Sequence, residues 1–319
     1  MIQKSTHAVP RMDLGLAFHE YSPQRMRFIA DQILPVFGTA KEASTLSVIQ
    51  RENMTVPETK HANGATYNRV NLYATDMAYA CGDHGLEAQL TDRDREKYRD
   101  DFDGEVETVN GIKTKMMIAR EKRIKDLIFN TTTWATGTAA LYTDNSGSPW
   151  DTTTTNVIVQ INAAKELVRI NTGVAADSLI IGEAAMQNLL ANTVLSARFP
   201  GAELITEAML RANMAAIFGL RNLIVGAVVY NSSDEGQDFS GTDLWADDYA
   251  MVAALGSAGM PITEPQLGRT ILWEQYISDL RYVEQYREDQ TESDIFRVKE
   301  SIDEKIFDPY FAHLMKIDA

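Results

Sequence analysis

The chain has 319 residues, 45% hydrophobic and 24% charged, with a formal net charge of -15. That balance fits a globular protein with enough chain for one large or two medium cores, and it excludes a dedicated DNA- or RNA-binding protein, whose footprint is a basic surface. No run approaches the ~20 apolar residues of a membrane helix, the opening MIQKSTHAVPRMDLG lacks the apolar stretch of a secretory signal, and a single cysteine, Cys81, excludes an internal disulfide framework and fits a reducing compartment such as a cytosol.

Up to about Thr45 the chain mixes Pro10, Pro23 and Pro35 with short apolar clusters and shows no sustained period. This predicts an extended arm with one short helix near Arg25–Leu34. Two runs of strand character follow, 44–53 and 65–80, and the polar stretch between them closes on Asn63-Gly64, a hairpin turn signal. A two-stranded hairpin is marginal alone in water, so this one must lie on another part of the molecule or on a neighbouring subunit. From Asp83 to Glu107 the chain carries ten acidic residues against four basic ones. The segment ends in Asp101-Phe102-Asp103, good capping chemistry for a helix with Glu105 and Glu107 in its first turn. Val106, Val109, Ile112, Met116, Met117, Ile124, Leu127 and Ile128 then recur at three- and four-residue steps. They predict one helix of about 25 residues, roughly 38 Å long. Its second half carries Lys113, Lys115, Arg120, Lys122, Arg123 and Lys125 against Glu121 and Asp126. A solvated face explains these charges, and so does a surface that meets an acidic partner or an acidic neighbouring subunit.

Residues 131–156 read as a loop that divides the chain. Beyond it, helices are expected over Asn156–Ile170, Glu183–Ala191 and from Thr206 or Glu207 to Phe218, the first and last stopped by Gly173 and Gly219. Buried strands are expected at Leu179–Gly182, Asn222–Tyr230 and Tyr249–Leu255. The last fifth alternates polar with apolar or aromatic residues and reads as long, half-exposed strands. Mixed α/β followed by antiparallel β predicts an α+β layout in two lobes.

Motifs for chemistry are sparse. SLIIGEAAMQNLL (178–190) has the strand, glycine and helix order of a nucleotide site, but it holds one glycine instead of three. Glu183 also places a carboxylate where a phosphate would lie. The five histidines are scattered, and the nearest thing to a ligand cluster, Cys81, Asp83 and His84 in CGDHG, reads as a turn after a strand. The acidic loop 234–248 lacks the residue order of a calcium loop, and Pro149 directly after Ser148 is no nucleophile elbow. No enzyme signal and no cofactor site emerge.

The order of parts resembles the major capsid proteins of tailed bacteriophages, the Hong-Kong-type fold. The segments that carry the resemblance are FIADQILPVF (28–37), AREKRIKDLIFNTTTW (119–134), INTGVAADSLIIGEAAMQNLLANTVL (170–195), ANMAAIFGLRNLIVGAVVYN (212–231), LGRTILWE (267–274) and FDPYFAHLMKI (307–317). Ala175-Ala176 stand where the family commonly has a proline. The resemblance implies an N-terminal arm over 1–45, an E-loop and its base over 46–82, and a P-domain over 83–155 with a spine helix at about 104–129. It further implies an A-domain over 156–275, return strands to the P-domain over 276–305, and a C-terminal segment at 306–319 closing the A-domain.

As a member of that family the chain is expected to be a head protein, not an enzyme. It would self-assemble into pentamers and hexamers of an icosahedral virion shell around double-stranded DNA, in the host cytoplasm and without membrane contact. The packaged DNA would be touched non-specifically, as suits an acidic container. A separate scaffolding protein, a portal and a decoration protein are the further partners implied. Arg51, Glu52, Lys60, Arg69, Lys113, Lys115, Arg120, Lys122, Arg123 and Lys125 are the expected intersubunit contacts; some family members crosslink a lysine to an asparagine between subunits, and Lys60, at the E-loop tip, is the one lysine placed for that, although a charged turn residue is the preferred reading of it. An encapsulin nanocompartment is the alternative shell, and an α/β enzyme or ligand-binding protein the alternative outside that class.

Overall fold

Two sheets share one long helix. The computed structural model describes residues 9–11, 13–15, 17, 21, 27–49, 51–53, 55–64, 66–71, 73–99, 102–134, 141–198, 207–234, 236–275 and 282–318. The helix spans Gly104–Ile128 and begins where Asp103 accepts the N–H groups of Glu105 and Val106, satisfying donors that a helix start leaves open. Its first half lays Val109, Ile112 and Met116 on Leu90, Phe296 and Val298 of the first sheet. Its second half sends Ile124 and Ile128 into a different core with Ile180, Ile224, Met251 and Leu314 of the second sheet. One helix thus joins two cores.

The first sheet is built on the 14-residue strand Ser293–Ile306. That strand pairs antiparallel with Tyr282–Glu288, Gly82–Thr91 and Gly268–Trp273. Val36–Thr39 adds in parallel to Gly268–Trp273, and Val9–Pro10 to Tyr282–Glu288 in antiparallel. The second sheet has five strands in the order Tyr142–Asp144, Ala312–Lys316, Tyr249–Ala253, Ser178–Gly182 and Asn222–Gly226. Its alternate residues serve opposite faces. Ile180, Met251 and Leu314 face the long helix, while Leu179, Ile181, Val252 and Met315 face the helices Val157–Thr172 and Glu183–Ala191. Burial on both faces explains why these strands read as continuous apolar runs.

Most helices stand at the expected places. Val157–Thr172 ends at Gly173, whose φ of 70° is the left-handed cap that favours glycine. Other expectations need correction. Of the expected arm helix the described residues show Ala30–Ile33, with Arg25 and Met26 outside them, and the chain then turns into a strand because Gly268–Trp273 offers it a ladder. The segment read as a turn after a strand at CGDHG is the start of the ten-residue strand Gly82–Thr91. Within the strand Glu87 is neutralised by Arg297 at 2.5 Å, and just beyond its end Asp92, the first residue of the helix Asp92–Tyr98, pairs with Arg287 at 2.5 Å. Gly268–Trp273 is buried where a half-exposed strand was expected, being enclosed by strands on both sides. The run Asn222–Tyr230 breaks into Asn222–Gly226 and Val229–Asn231, the latter pairing with Gly241–Asp243 in a small separate hairpin. Residues 199–206, including the expected helix start at Thr206, lie outside the described residues.

Candidate interaction surfaces

The hairpin strands Ala43–Ile49 and Ala74–Ala80 pair from Ala43↔Ala80 to Ile49↔Ala74 and then stop, short of the expected 44–53 and 65–80. Beyond the ladder the chain is held by side chains instead. Asn53 receives the backbone N–H of Tyr73 on its Oδ1 at 2.7 Å and donates its Nδ2–H to the Tyr73 carbonyl at 2.6 Å, copying one rung of a sheet. Asn68 donates to the Glu58 carbonyl, the rings of His61 and Tyr67 meet edge to face, and Gly64 takes the turn with φ of 83°. The extension exposes Val56 (100%), Tyr67 (76%), Val70 (71%) and Tyr73 (52%) to solvent. Scattered exposed apolar residues need no explanation, but four on one projecting hairpin form a surface suited to burial by a partner. Lys60 and Arg69 are exposed on the same extension. At its base the Arg51 guanidinium lies 3.5 Å from the centre of the Tyr310 ring, a contact within the chain. Glu52 lies in the short turn Arg51–Asn53, and its side chain is outside what the structure describes.

The basic half of the long helix divides into residues used inside the chain and residues facing out. Lys113 is buried and donates to the carbonyl of Tyr21. Arg120 is buried beside Asp31, at 2.7 Å, and Arg123 reaches Glu304 at 2.9 Å and the buried Glu300 at 3.5 Å. Lys115 and Lys122 are exposed, Lys122 pairing with Asp126 at 3.1 Å; Lys125 pairs with Asp126 at 3.3 Å. The acidic partner of this basic face is thus in part the subunit's own arm and its own strand Ser293–Ile306. Arg123→Ala is expected to destabilise the subunit by about 2 kcal/mol, because it strips a charged partner from the buried Glu300 and the half-buried Glu304. Lys122→Ala, which breaks an exposed i,i+4 pair, is expected to cost under about 0.5 kcal/mol. Urea unfolding of the two variants checks the ranking, and equal losses would contradict it.

The stretch SLIIGEAAMQNLL shows what replaces a phosphate. A Cβ on Gly182 would stand 2.2 Å from the carbonyl oxygen of Trp245, and a Cβ on its register partner Gly226 would stand 2.3 Å from the Trp245 ring. Two glycines side by side in parallel strands therefore make a slot for Trp245. Glu183, in the first turn of its helix, pairs with Arg27 of the arm at 3.1 Å. The helix start is committed to a protein carboxylate and the arm.

Trp245 leads to the junction that sequence reasoning did not single out. Its indole N–H donates to Glu121 Oε1 at 2.8 Å, and the same carboxylate accepts the backbone N–H groups of Ile29 and Ala30 at 3.0 Å. Glu121 is completely buried, and that burial pushes its carboxyl pKa above the ordinary range, although the Ile29, Trp245 and Ala30 donors and Arg120 pull the other way. Its sequence signal was an acidic residue at a core-facing helix position within a basic run.

Cys81 is buried, its thiol donates toward the Ile271 carbonyl at 3.7 Å, and burial pushes its pKa up to about 11. Such a thiol is inert at neutral pH. Among the described residues no group of three His, Cys, Asp or Glu side chains is placed to hold a metal ion, and no helix is long and apolar enough to cross a membrane. A groove of about 660 Å³ runs between Asp31, Pro35, Arg221, Leu255 and Met260. Two of its carboxylates serve the fold: Asp177 accepts the Leu255 N–H at 3.1 Å, and Asp31 pairs with Arg120.

Comparison with known proteins places the architecture. A phage-related protein from Bordetella bronchiseptica superposes with a TM-score of 0.74 over 97% of this chain and 98% of its own, at 18% identity. The capsid of cyanophage P-SCSP1u superposes with a TM-score of 0.57 over 99% and 90%, at 10% identity. The chain therefore has the Hong-Kong-type fold of tailed-phage capsid proteins, an α+β fold. In sequence it is 27% identical over 151 residues to a major capsid protein of Pseudomonas phage JBD67, a match covering 46% of this chain and 48% of that one. The similarity thus spans about half the length of the curated relative. No protein-family model matches the sequence.

Proposed function

We propose that this chain is a major capsid protein whose copies assemble into a closed shell around double-stranded DNA. The observation that carries the reading is the apolar hairpin extension projecting from a capsid fold, with Val56, Tyr67 and Val70 in water. Its exposed side chains find a partner when copies interlock, and symmetry repeats that contact until the shell closes. On this reading residues 1–45 are the arm, 46–82 the E-loop and its base, 83–155 the P-domain, and 156–275 the A-domain, with return strands over 276–305 and a closing segment at 306–319. Pentamers and hexamers are its capsomers, and of the expected contact residues the exposed cations Lys60, Arg69, Lys115 and Lys122, the last beside Asp126, meet neighbouring copies. The similarity in sequence to a phage major capsid protein supports a structural role without catalysis in the virion. A separate scaffold, a portal and a decoration protein complete the proposed set of partners, with assembly in the host cytoplasm. The net charge of -15 suits a wall that must not bind its contents tightly.

The test is electron microscopy of the expressed protein together with light scattering. Shells or capsomers are expected, and a stable monomer or dimer at every salt and protein concentration would overturn the proposal. Nucleic acid inside particles purified from infected cells distinguishes a virion shell from a compartment loaded with protein cargo.

A further inference from the structure

A projecting hairpin and a groove offer surfaces that match. The small hairpin of Val229–Asn231 and Gly241–Asp243 has a tip held in shape by its own hydrogen bonds. Asn231 Oδ1 accepts the backbone N–H groups of Ser233 at 3.1 Å and Ser240 at 3.0 Å, and Ser233 Oγ donates to the Asp238 carbonyl at 2.6 Å. A Cβ on Gly241 would stand 3.1 Å from the Phe239 ring and 3.2 Å from the Val229 side chain, so those two make one apolar patch. Phe239 is 74% exposed and Val229 40%, and Asp234, Asp238 and Asp243 are exposed on the same hairpin. The groove of about 660 Å³ is of the size that holds a ligand or several side chains. Pro35, Leu223, Leu255 and Met260 give it apolar walls, and Arg221 is exposed at it with no ion pair among the described residues. A Cβ on Gly256, another lining residue, would stand 3.2 Å from the guanidinium carbon of Arg269. Arg269 is buried and bonds only neutral acceptors, Gln266 Oε1 at 2.6 Å and the Met260 carbonyl at 3.1 Å.

We propose that the hairpin 229–243 of one copy seats Phe239 in this groove of a second copy, with Asp234 and Asp238 facing Arg221. The proposal deepens the shell reading and rests on its premise that copies associate. Charge selects the occupant. Asp31 is paired with Arg120, and Asp177 accepts the Leu255 N–H and the Ser178 hydroxyl. With Arg221 and Arg269 added, the groove and its backing carry one net positive charge in a chain whose total is -15. An acidic segment with an apolar ring fits such a recess, because the ring leaves water while the carboxylates stay at the rim beside a cation. The contact is not made within one chain, since Phe239 stands in solvent. Asn222 lines the groove at one end of the strand Asn222–Gly226, and the hairpin follows the other end. Two different patches of one chain meeting in this way make a head-to-tail contact, which closes into a ring or runs on as an open chain.

The experiment is photo-crosslinking of the full chain carrying benzoylphenylalanine in place of Phe239, in assemblies mixed from isotopically labelled and unlabelled copies and read by mass spectrometry. Crosslinks are expected from position 239 to 31–35, 221–224 or 255–260, joining labelled to unlabelled chains. Crosslinks to other segments, or only within one copy, would overturn the contact. Charge reversal gives a second reading. Arg221→Glu, and separately Asp234→Arg with Asp238→Arg, should each weaken association by at least about tenfold, because like charges then face one another. The three substitutions together should restore it. All these side chains are exposed, so the urea midpoint of the subunit should not move. Normal association of Arg221→Glu, or no recovery in the combined variant, refutes the contact and leaves the shell reading standing. An unmodified chain that stays monomeric at every concentration overturns both.

Discussion

Alanine at Gly182 is expected to destabilise the subunit by about 3 kcal/mol, at the upper end of what a methyl forced into a packed site costs. The reason lies in what the methyl would meet. Its Cβ would stand 2.2 Å from the Trp245 carbonyl oxygen and 3.0 Å from that of Ala246, and backbone atoms cannot rotate aside as a side chain can. Relief requires the segment around Trp245 to move, which pulls the indole from Glu121 and from the slot between the two strands. Gly226→Ala meets the indole ring itself and should cost a comparable amount. Gly111→Ala is the matched control. That glycine is exposed in the middle of the long helix with nothing within 4 Å of its would-be Cβ, so alanine should stabilise by up to about 1 kcal/mol. Urea denaturation of the three variants checks the signs, and a stable Gly182→Ala would mean the Trp245 slot is looser than described.

Replacing residues 55–71 by a two-residue Asn-Gly turn should leave the subunit folded and abolish assembly. The described contacts of this extension are made within itself and at Asn53 and Tyr73, so its loss opens no cavity in either core. Burying Val56, Tyr67 and Val70 against a neighbour is worth on the order of 1.5–3 kcal/mol for each side chain fully removed from water. A shell multiplies that term over every subunit, and removing it shifts assembly beyond any practical protein concentration. Light scattering and electron microscopy read the particle fraction, while an unchanged urea midpoint shows that folding is intact. Normal shells from the shortened chain would place the interlocking contact elsewhere and remove the observation on which the proposed function stands.

How much of this was legible beforehand differs by element. The helix over Gly104–Ile128 was plain because Asp103, the acidic first turn and a three-and-four apolar spacing are local signals that agree with one another. Ser178–Gly182 and Glu183–Ala191 were plain for the same reason. Gly82–Thr91 was hidden because its acidic residues disfavour a strand, and Glu87 is neutralised only by Arg297, some two hundred positions away. The basic helix face was visible as charge, but its division was not. Whether Arg123 meets solvent or Glu300 depends on the approach of a strand far along the chain.

The glycine of SLIIGEAAMQNLL marks the boundary between the two kinds of knowledge. The sequence by itself determined the long helix, the strand and helix around Gly182, the α+β class, the resemblance to capsid proteins and the rejection of a phosphate site, because a missing glycine pair and Glu183 are local facts. Only the tertiary structure decided what Gly182 is for, that Glu121 is shared by arm and indole, and which cations are spent inside the subunit. Those outcomes depend on non-local approach within a few ångströms, and such approach is set by how two cores pack on one helix rather than by any stretch of neighbouring residues.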